Sequence, residues 1–369
     1  MRSSSFLVVL IGLAVTSCSD DSLTGGGGSA STSGGNNGTG ASADGGASQA
    51  GGAGAGASPA TGGMGGAGPG SGGAAAGGGG TGGSGGGEPA PVVRFVAIGD
   101  AGKANQGQLD VANAIAAKCA LSGCDFVQLL GDNIYDSGVE SADDLRFQLQ
   151  FEQPYASVDL PFFVVLGNHD YGGDGAGWEF EKGQYQVDYT QISSKWTLPA
   201  KYYHHSLEHV EFFGFDTNMA MYLQADDQAA DFPGWIAAST ATWKIAFAHH
   251  PYLSNGPHGN AGEYEGLPFV PITNGAGVKE LADDVICGNV DLYISGHDHS
   301  LQWLQDTCAG TELIVSGAGA SSTELDGDNP THFESLSLGF LYVRIEGNTL
   351  AGEFYDTSGG LLFSRTLTK

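Results

Sequence analysis

The stretch Asp-Phe-Val-Gln-Leu-Leu-Gly-Asp-Asn-Ile-Tyr, residues 125–135, carries an apolar run of strand length that stops at a glycine and gives way at once to polar side chains. A short apolar run bounded by a turn residue reads as a strand buried on both faces. The same design stands upstream, where the β-branched and aromatic run Val92–Ile98 ends in Gly99-Asp100. Between the two, Gln106–Lys118 has helical apolar spacing, so the segment opens with a βαβ unit. Downstream, Ala142–Tyr155 reads as a helix and Pro161–Leu166 as a strand ending in Gly167-Asn168-His169-Asp170. Further strands are expected at Tyr202–Ser206, Val210–Phe215, Trp243–Ala248, Asp291–Ile294 and Thr311–Val315, with helices at Asp226–Ala238 and Gly277–Ile286. The chain ends as a β-meander, Phe340–Glu346, Leu350–Tyr355 and Leu361–Thr366, with Gly-Asn and Gly-Gly turns between. Such an order predicts an α/β fold of mixed sheets covered by helices.

The chain divides sharply by composition. Of its 369 residues 63 are glycine, and about half of these fall between Gly25 and Gly87, a stretch with almost no large apolar side chain and hence no means of forming a core. Residues 92–369 are expected to form one folded domain. Met1, Arg2 and three serines precede an apolar run, Phe6–Val15, too short to span a bilayer, and the order matches a secretory signal peptide over residues 1–17. Val15-Thr16-Ser17-Cys18 resembles the bacterial lipobox, which implies lipidation of Cys18; an ordinary signal peptide is the alternative. Residues 18–91 then form a Gly-rich tether spanning on the order of 50 Å. This predicts an exported cell-envelope lipoprotein, at the outer membrane or cell surface, that meets the membrane only through its lipid. Cys119, Cys124, Cys287 and Cys308 remain, an even number in an exported chain. They favour the disulfides Cys119–Cys124 and Cys287–Cys308 among three pairings, with zinc ligation as the alternative.

With 41 acidic against 13 basic residues, the chain has a formal net charge of −28, which argues against nucleic acid as a partner. A phosphate ester would be repelled too, unless bound cations supply a local positive centre.

Five of the expected strands run directly into metal-ligand side chains: Gly99-Asp100, Gly131-Asp132-Asn133-Ile134-Tyr135, Gly167-Asn168-His169-Asp170, His249-His250-Pro251 and Gly296-His297-Asp298-His299. The carboxyl ends of strands are where α/β sheets place their sites. At four of the five a glycine precedes the ligand, which reads as a tight turn aiming the next side chain into a shared crevice. A single strand-end Asp is usually a turn former, and a single buried His usually a core residue. Five together, in one order, have no such structural explanation.

These ordered motifs, GD, GDNIY, GNHD, HHP and GHDH, resemble the calcineurin-like metallophosphoesterases and, within them, the small purple acid phosphatases, across essentially all of Val92–Lys369. Protein phosphatases and related diesterases of the superfamily carry a His two residues after the first Asp; Asp100-Ala101-Gly102 has glycine there, and Tyr135 fills the vacancy as in the purple enzymes. The resemblance implies a four-layer α/β/β/α sandwich with two mixed sheets. It implies an acid phosphatase that hydrolyses phosphate monoesters by attack of a metal-bound hydroxide, with a phosphodiesterase or nucleotidase of the same superfamily as the alternative. Carried over, Asp100, Asp132, Tyr135 and His299 would hold Fe(III), and Asp132, Asn168, His249 and His297 a divalent Fe, Zn or Mn, with Asp132 as the bridge. The hard anionic set suits the trivalent ion and the amide with two imidazoles suits the divalent one. His250, next to His249, is the alternative ligand in HHP. His169 and His258 are the expected catalytic side chains. Pro257 stands where mammalian-type members often have a glutamate before that histidine, and Ala101 where the family usually has Trp.

Overall fold

Adjacent residues of the first strand face different cores. Phe95 and Ala97 join one apolar cluster while Val96 and Ile98 join another, which is why the run is apolar without alternation. The structure is a computed structural model that describes residues 90–266, 269 and 271–369. In chain order the elements are β1 (Val92–Ile98), α1 (Gln106–Ser122), β2 (Phe126–Leu130), β3 (Phe162–Val165), α2 (Lys182–Tyr189), β4 (Trp196–Thr197), β5 (Tyr203–Leu207), β6 (Val210–Gly214), α3 (Thr217–Met221) and α4 (Asp226–Ala238). They continue with β7 (Trp243–Phe247), α5 (Ala276–Leu281), β8 (Leu292–Ser295), β9 (Leu301–Leu304), β10 (Glu312–Ser316), β11 (Thr331–Ser335), β12 (Gly339–Glu346), β13 (Thr349–Asp356) and β14 (Leu361–Thr368).

The strands make two seven-stranded mixed sheets, ordered β14-β13-β12-β1-β2-β3-β4 and β11-β9-β10-β8-β7-β6-β5. In the first, β1 and β2 run parallel with Phe95 opposite Phe126, and β12 returns antiparallel to β1 with Val93 opposite Ile345. In the second, β6, β7 and β8 are parallel, with Phe212 opposite Ile245 and Ile245 opposite Leu292. Three apolar clusters fill the gaps between four layers. One packs Val111 and Ile115 of α1, with Phe147, Phe151 and Tyr189, against the first sheet. The second lies between the sheets, where the Phe95 ring stacks on Phe126 at 5.2 Å and meets Phe212 and Phe247 edge-on at 5.5 and 5.7 Å. The third packs Phe232 and Ile236 of α4 and Val278 and Leu281 of α5 on the second sheet. The expected sandwich of two mixed sheets with helices outside is therefore what the chain forms.

Helix α1 starts at Asn105, whose side-chain oxygen accepts from the Gln108 amide at 2.9 Å, and ends at Gly123, with φ 77°. The disulfide Cys119–Cys124 ties this end to β2, and Cys287–Cys308 joins the entry to β8 with the turn before β10. The four sulfurs thus sit in two separate bridges, not in a zinc cluster. Residues 1–89, with the expected signal peptide, Cys18 and tether, lie outside the described residues.

One expected helix is a correction. Ala142–Tyr155 is helical only over its second half, Arg146–Glu152, with π-type bonding at Gln148–Glu152 closed by Gln153 N–H to the Gln148 carbonyl, and turns precede and follow it. The Asp144 carboxylate accepts from the backbone amides of Glu140 and Arg146, both at 2.9 Å, and pairs with the Arg146 guanidinium at 2.7 Å. Side chain to backbone bonds of this kind hold a turn where apolar spacing suggested a helix.

Candidate metal centre

Strands β1, β2 and β3 lead into Asp100, Asp132 and Asn168, and β7 and β8 lead into His249 and His297; the two sheets touch at this edge. The Gly99 amide donates to Ser316 O across the gap at 2.8 Å, and the His249 ring reaches Leu130 of the other sheet. All seven residues singled out as ligands come together. Tyr135 Oη lies 3.0 Å from Asp132 Oδ2, 3.3 Å from Asp100 Oδ1 and 3.1 Å from His299 Nε2. His249 Nε2 lies 2.9 Å from Asn168 Oδ1, 3.4 Å from Asp132 Oδ2 and 3.1 Å from His297 Nδ1. Asp132 therefore stands between the two groups. Asp100 and His249 are fully buried, and Asp132 almost so.

Hydrogen bonds outside the cluster decide which atoms face into it. His249 Nδ1 must donate to the Leu130 carbonyl at 2.9 Å, since a carbonyl only accepts, and this leaves Nε2 as the bare nitrogen. Asn168 Nδ2 donates to the Gly175 carbonyl at 2.8 Å, which turns Oδ1 inward. Two acceptors thus oppose each other at 2.9 Å, an arrangement that only a positive centre between them satisfies. A proton can serve. Burial disfavours the charge on His249, yet the Asp132 carboxylate overrides it and lifts the imidazole to about 9. A metal cation would compete for that same lone pair. Tyr135 points the same way: burial, with Asp132 and Asp100 beside it, holds its phenol well above the usual value, so ionisation there needs a cation in contact with the oxygen. The donor set fits metal ions.

Glycine serves this site by its small size more than by its turning freedom. Of Gly99, Gly131, Gly167 and Gly296, only Gly131 has a left-handed φ, 90°. A Cβ on Gly131 would lie 2.6 Å from the His249 ring, on Gly167 2.2 Å from Asp132 Oδ1, and on Gly296 2.7 Å from Asp100 Oδ2. The left-handed backbone falls instead on the ligands themselves, Asp100 (φ 58°), Asp132 (φ 52°) and His297 (φ 71°). Each such residue costs about 1–3 kcal/mol and persists where the surroundings hold it. The tight-turn expectation is corrected in that sense.

Residues 93–301 match the calcineurin-like phosphoesterase family. The chain belongs to the calcineurin-like phosphoesterases. This phosphoesterase is 32% identical over 302 residues to purple acid phosphatase 4 of Arabidopsis thaliana, covering 74% of this chain and 83% of that protein. It is 31% identical over 323 residues to tartrate-resistant acid phosphatase type 5 of Sus scrofa, covering 76% and 88%. Among solved structures, GAP50, named as the anchor in the inner membrane complex of Plasmodium, shares the fold with a TM-score of 0.60 at 23% identity, over 75% of this chain and 89% of that one.

Around the cluster the phosphoesterase places three further histidines. His169 Nδ1 donates to the Asp136 carbonyl at 2.5 Å, leaving Nε2 4.0 Å from Asp132 Oδ2, and its ring packs 4.3 Å from that of Tyr135. The His258 ring stacks on His297 at 4.0 Å. Its Nδ1 bonds the carboxylate of Glu265, a residue to which the sequence pointed by no local signal. His250 turns Nδ1 to Thr217 Oγ1 at 2.9 Å, so His249, and not His250, reaches Asp132 and Asn168. Asp170, quoted within GNHD but given no role there, is buried and ties two strand ends together. Its carboxylate accepts from the amides of Asn133, Ile134 and Gly167 and from the side chains of Asn133 and Gln186, at 2.8–3.1 Å.

Proposed function

We propose that residues 92–369 are an acid phosphatase domain that hydrolyses phosphate monoesters at a dinuclear centre, with Fe(III) on Asp100, Asp132, Tyr135 and His299 and a divalent Fe, Zn or Mn on Asp132, Asn168, His249 and His297. The names of the relatives support the activity. The observation that carries the reading is the Tyr135 hydroxyl set among Asp100, Asp132 and His299, a hard anionic donor group once the phenol ionises. When bound, the two ions supply positive charge for the phosphate oxygens and make coordinated water more acidic.

The chain's own residues do the rest. Leu130 O fixes the tautomer of His249, and Ser321 Oγ, 3.1 Å from His299 Nδ1, orients the second imidazole. Asp170 holds the turns that carry Asp132 and Asn168 in one register. With Nδ1 held by Asp136, His169 keeps Nε2 for the substrate, where an Nε2–H would donate to a phosphate oxygen, and His258 lies beside His297 to meet the leaving group. Export and a lipid on Cys18 belong to the same proposal, supported by a sequence pattern outside the described residues; two disulfides suit an oxidising compartment.

The test is a visible spectrum with metal content on the purified protein, then on Tyr135→Phe. A phenolate on Fe(III) gives a charge-transfer band; the wild type is expected to show it, and the variant to lose the band, bind iron more weakly and hydrolyse 4-nitrophenyl phosphate more slowly. Colourless iron-loaded wild type, or a band surviving in Tyr135→Phe, refutes the assignment.

A further inference from the structure

His258 is held at three points. Its backbone amide donates to Asp298 Oδ1 at 3.1 Å, its carbonyl accepts from the Glu265 amide at 3.1 Å, and its ring nitrogen Nδ1 bonds Glu265 Oε1. One residue, Glu265, thus grips both the main chain and the ring of the histidine. It does so from a left-handed backbone, φ 56° and ψ 17°, which a side chain rarely adopts without cause. The residue before it is fixed: Tyr264 is buried, its amide donates to Asn274 O at 3.1 Å, and its hydroxyl bonds the Pro251 carbonyl. The start of the same loop is fixed as well, since Asn255 donates to Asn329 O and Glu334 Oε2 while Asn329 donates to Asn260 Oδ1 and Ser254 O. Pro257, immediately before His258, has no side-chain group that could bond the imidazole. With Nδ1 engaged, Nε2 is the nitrogen left for anything bound beside His297, on which the ring lies at 26°.

We propose that Glu265 is a positioning residue for the phosphatase reaction: it sets the His258 imidazole so that Nε2 faces the ester oxygen of the departing alcohol. The proposal rests on the phosphatase reading above. Help of this kind matters most when the leaving group is poor, because a good leaving group needs little assistance at its oxygen. The discriminating pair of substrates is 4-nitrophenyl phosphate and phenyl phosphate, close in size and different in leaving-group strength.

Glu265→Gly removes the carboxylate and suits the left-handed backbone, so folding is not at stake; Glu265→Gln keeps an oxygen that can accept from Nδ1–H. Glu265→Gly is expected to lower kcat on phenyl phosphate about tenfold or more and kcat on 4-nitrophenyl phosphate much less, with metal content and visible band unchanged. Glu265→Gln is expected to recover part of the loss. In a His258→Ala background, Glu265→Gly is expected to change nothing further. Equal losses on both substrates, no rescue by Gln, or a full additional loss without His258 would overturn the proposal while leaving the phosphatase reading intact. A wild type that binds no metal and cleaves neither ester would sink that reading instead.

Discussion

Among the described residues, His205, on β5, has no hydrogen-bond partner for either ring nitrogen, and its imidazole serves as an aromatic filler between the sheets. It lies flat on Phe163 at 3.9 Å and close to Phe212 at 4.9 Å. Burial, with a smaller contribution from His204, pulls its pKa from 6.5 down to about 4. A histidine depressed in the folded state costs stability as pH falls, because the unfolded chain takes up a proton near 6.5 that the folded chain refuses until about 4. At about pH 5 the unfolded form is nearly all protonated and the folded form hardly at all, a linkage penalty of about 2 kcal/mol that vanishes at about pH 7.5. His205→Phe keeps the stack and removes the titration. Thermal unfolding of both proteins at the two pH values then isolates the effect. The Tm advantage of the variant is expected to be larger at the acid pH by roughly 3 °C for a domain of this size. An equal advantage at both values refutes the argument, and would mean that His205 is hydrated or already charged in the native state.

Asn168→Ala removes one donor from the divalent side only; the expected result is loss of the second metal and most activity with the visible band largely kept, read by metal analysis and spectroscopy on one sample. Asp170→Ala strands five buried or part-buried donors and is expected to destabilise the fold by about 4 kcal/mol, checked by denaturant unfolding. Cys18→Ser should move the protein from the membrane fraction to the soluble one, and unchanged fractionation would exclude the lipid anchor.

Signals that repeat within a few residues were legible in the sequence. The strands leading to Asp100, Asp132, Asn168, His249 and His297 are apolar, short and bounded, and each was placed within a residue or two. Helix α4 was read with its observed ends, Asp226–Ala238. Strands β9 and β11 were missed for opposite reasons: Leu301–Leu304 is buried but only four residues long, and Thr331–Ser335 is an edge strand that only half-buries one face, through Phe333. Helix α2, Lys182–Tyr189, mixes Lys, Gln and Asp into its apolar spacing and gave no periodic signal. In the site, residues whose role is to ligate were found, because chemistry restricts their type. Glu265 and the supporting role of Asp170 were not, because each acts on partners fixed by the fold, and hydrogen bonding to a distant loop leaves no mark in the neighbouring sequence.

The candidate ligands are divided between the sheets: Asp100, Asp132, Tyr135 and Asn168 follow strands of the first, His249, His297 and His299 strands of the second. Each of the two proposed ions would draw donors from both sheets, so metals bound there would act as a clasp across the seam. By linkage, whatever the ions add to cohesion of the sheets, cohesion of the sheets adds to metal affinity. Phe95, wedged among Phe126, Phe212 and Phe247, is itself no candidate ligand, yet trimming it should loosen the metals. Metal retention is then a gauge of how tightly the sandwich is shut, and a chelator should pry open the same seam that a cavity in its aromatic core weakens.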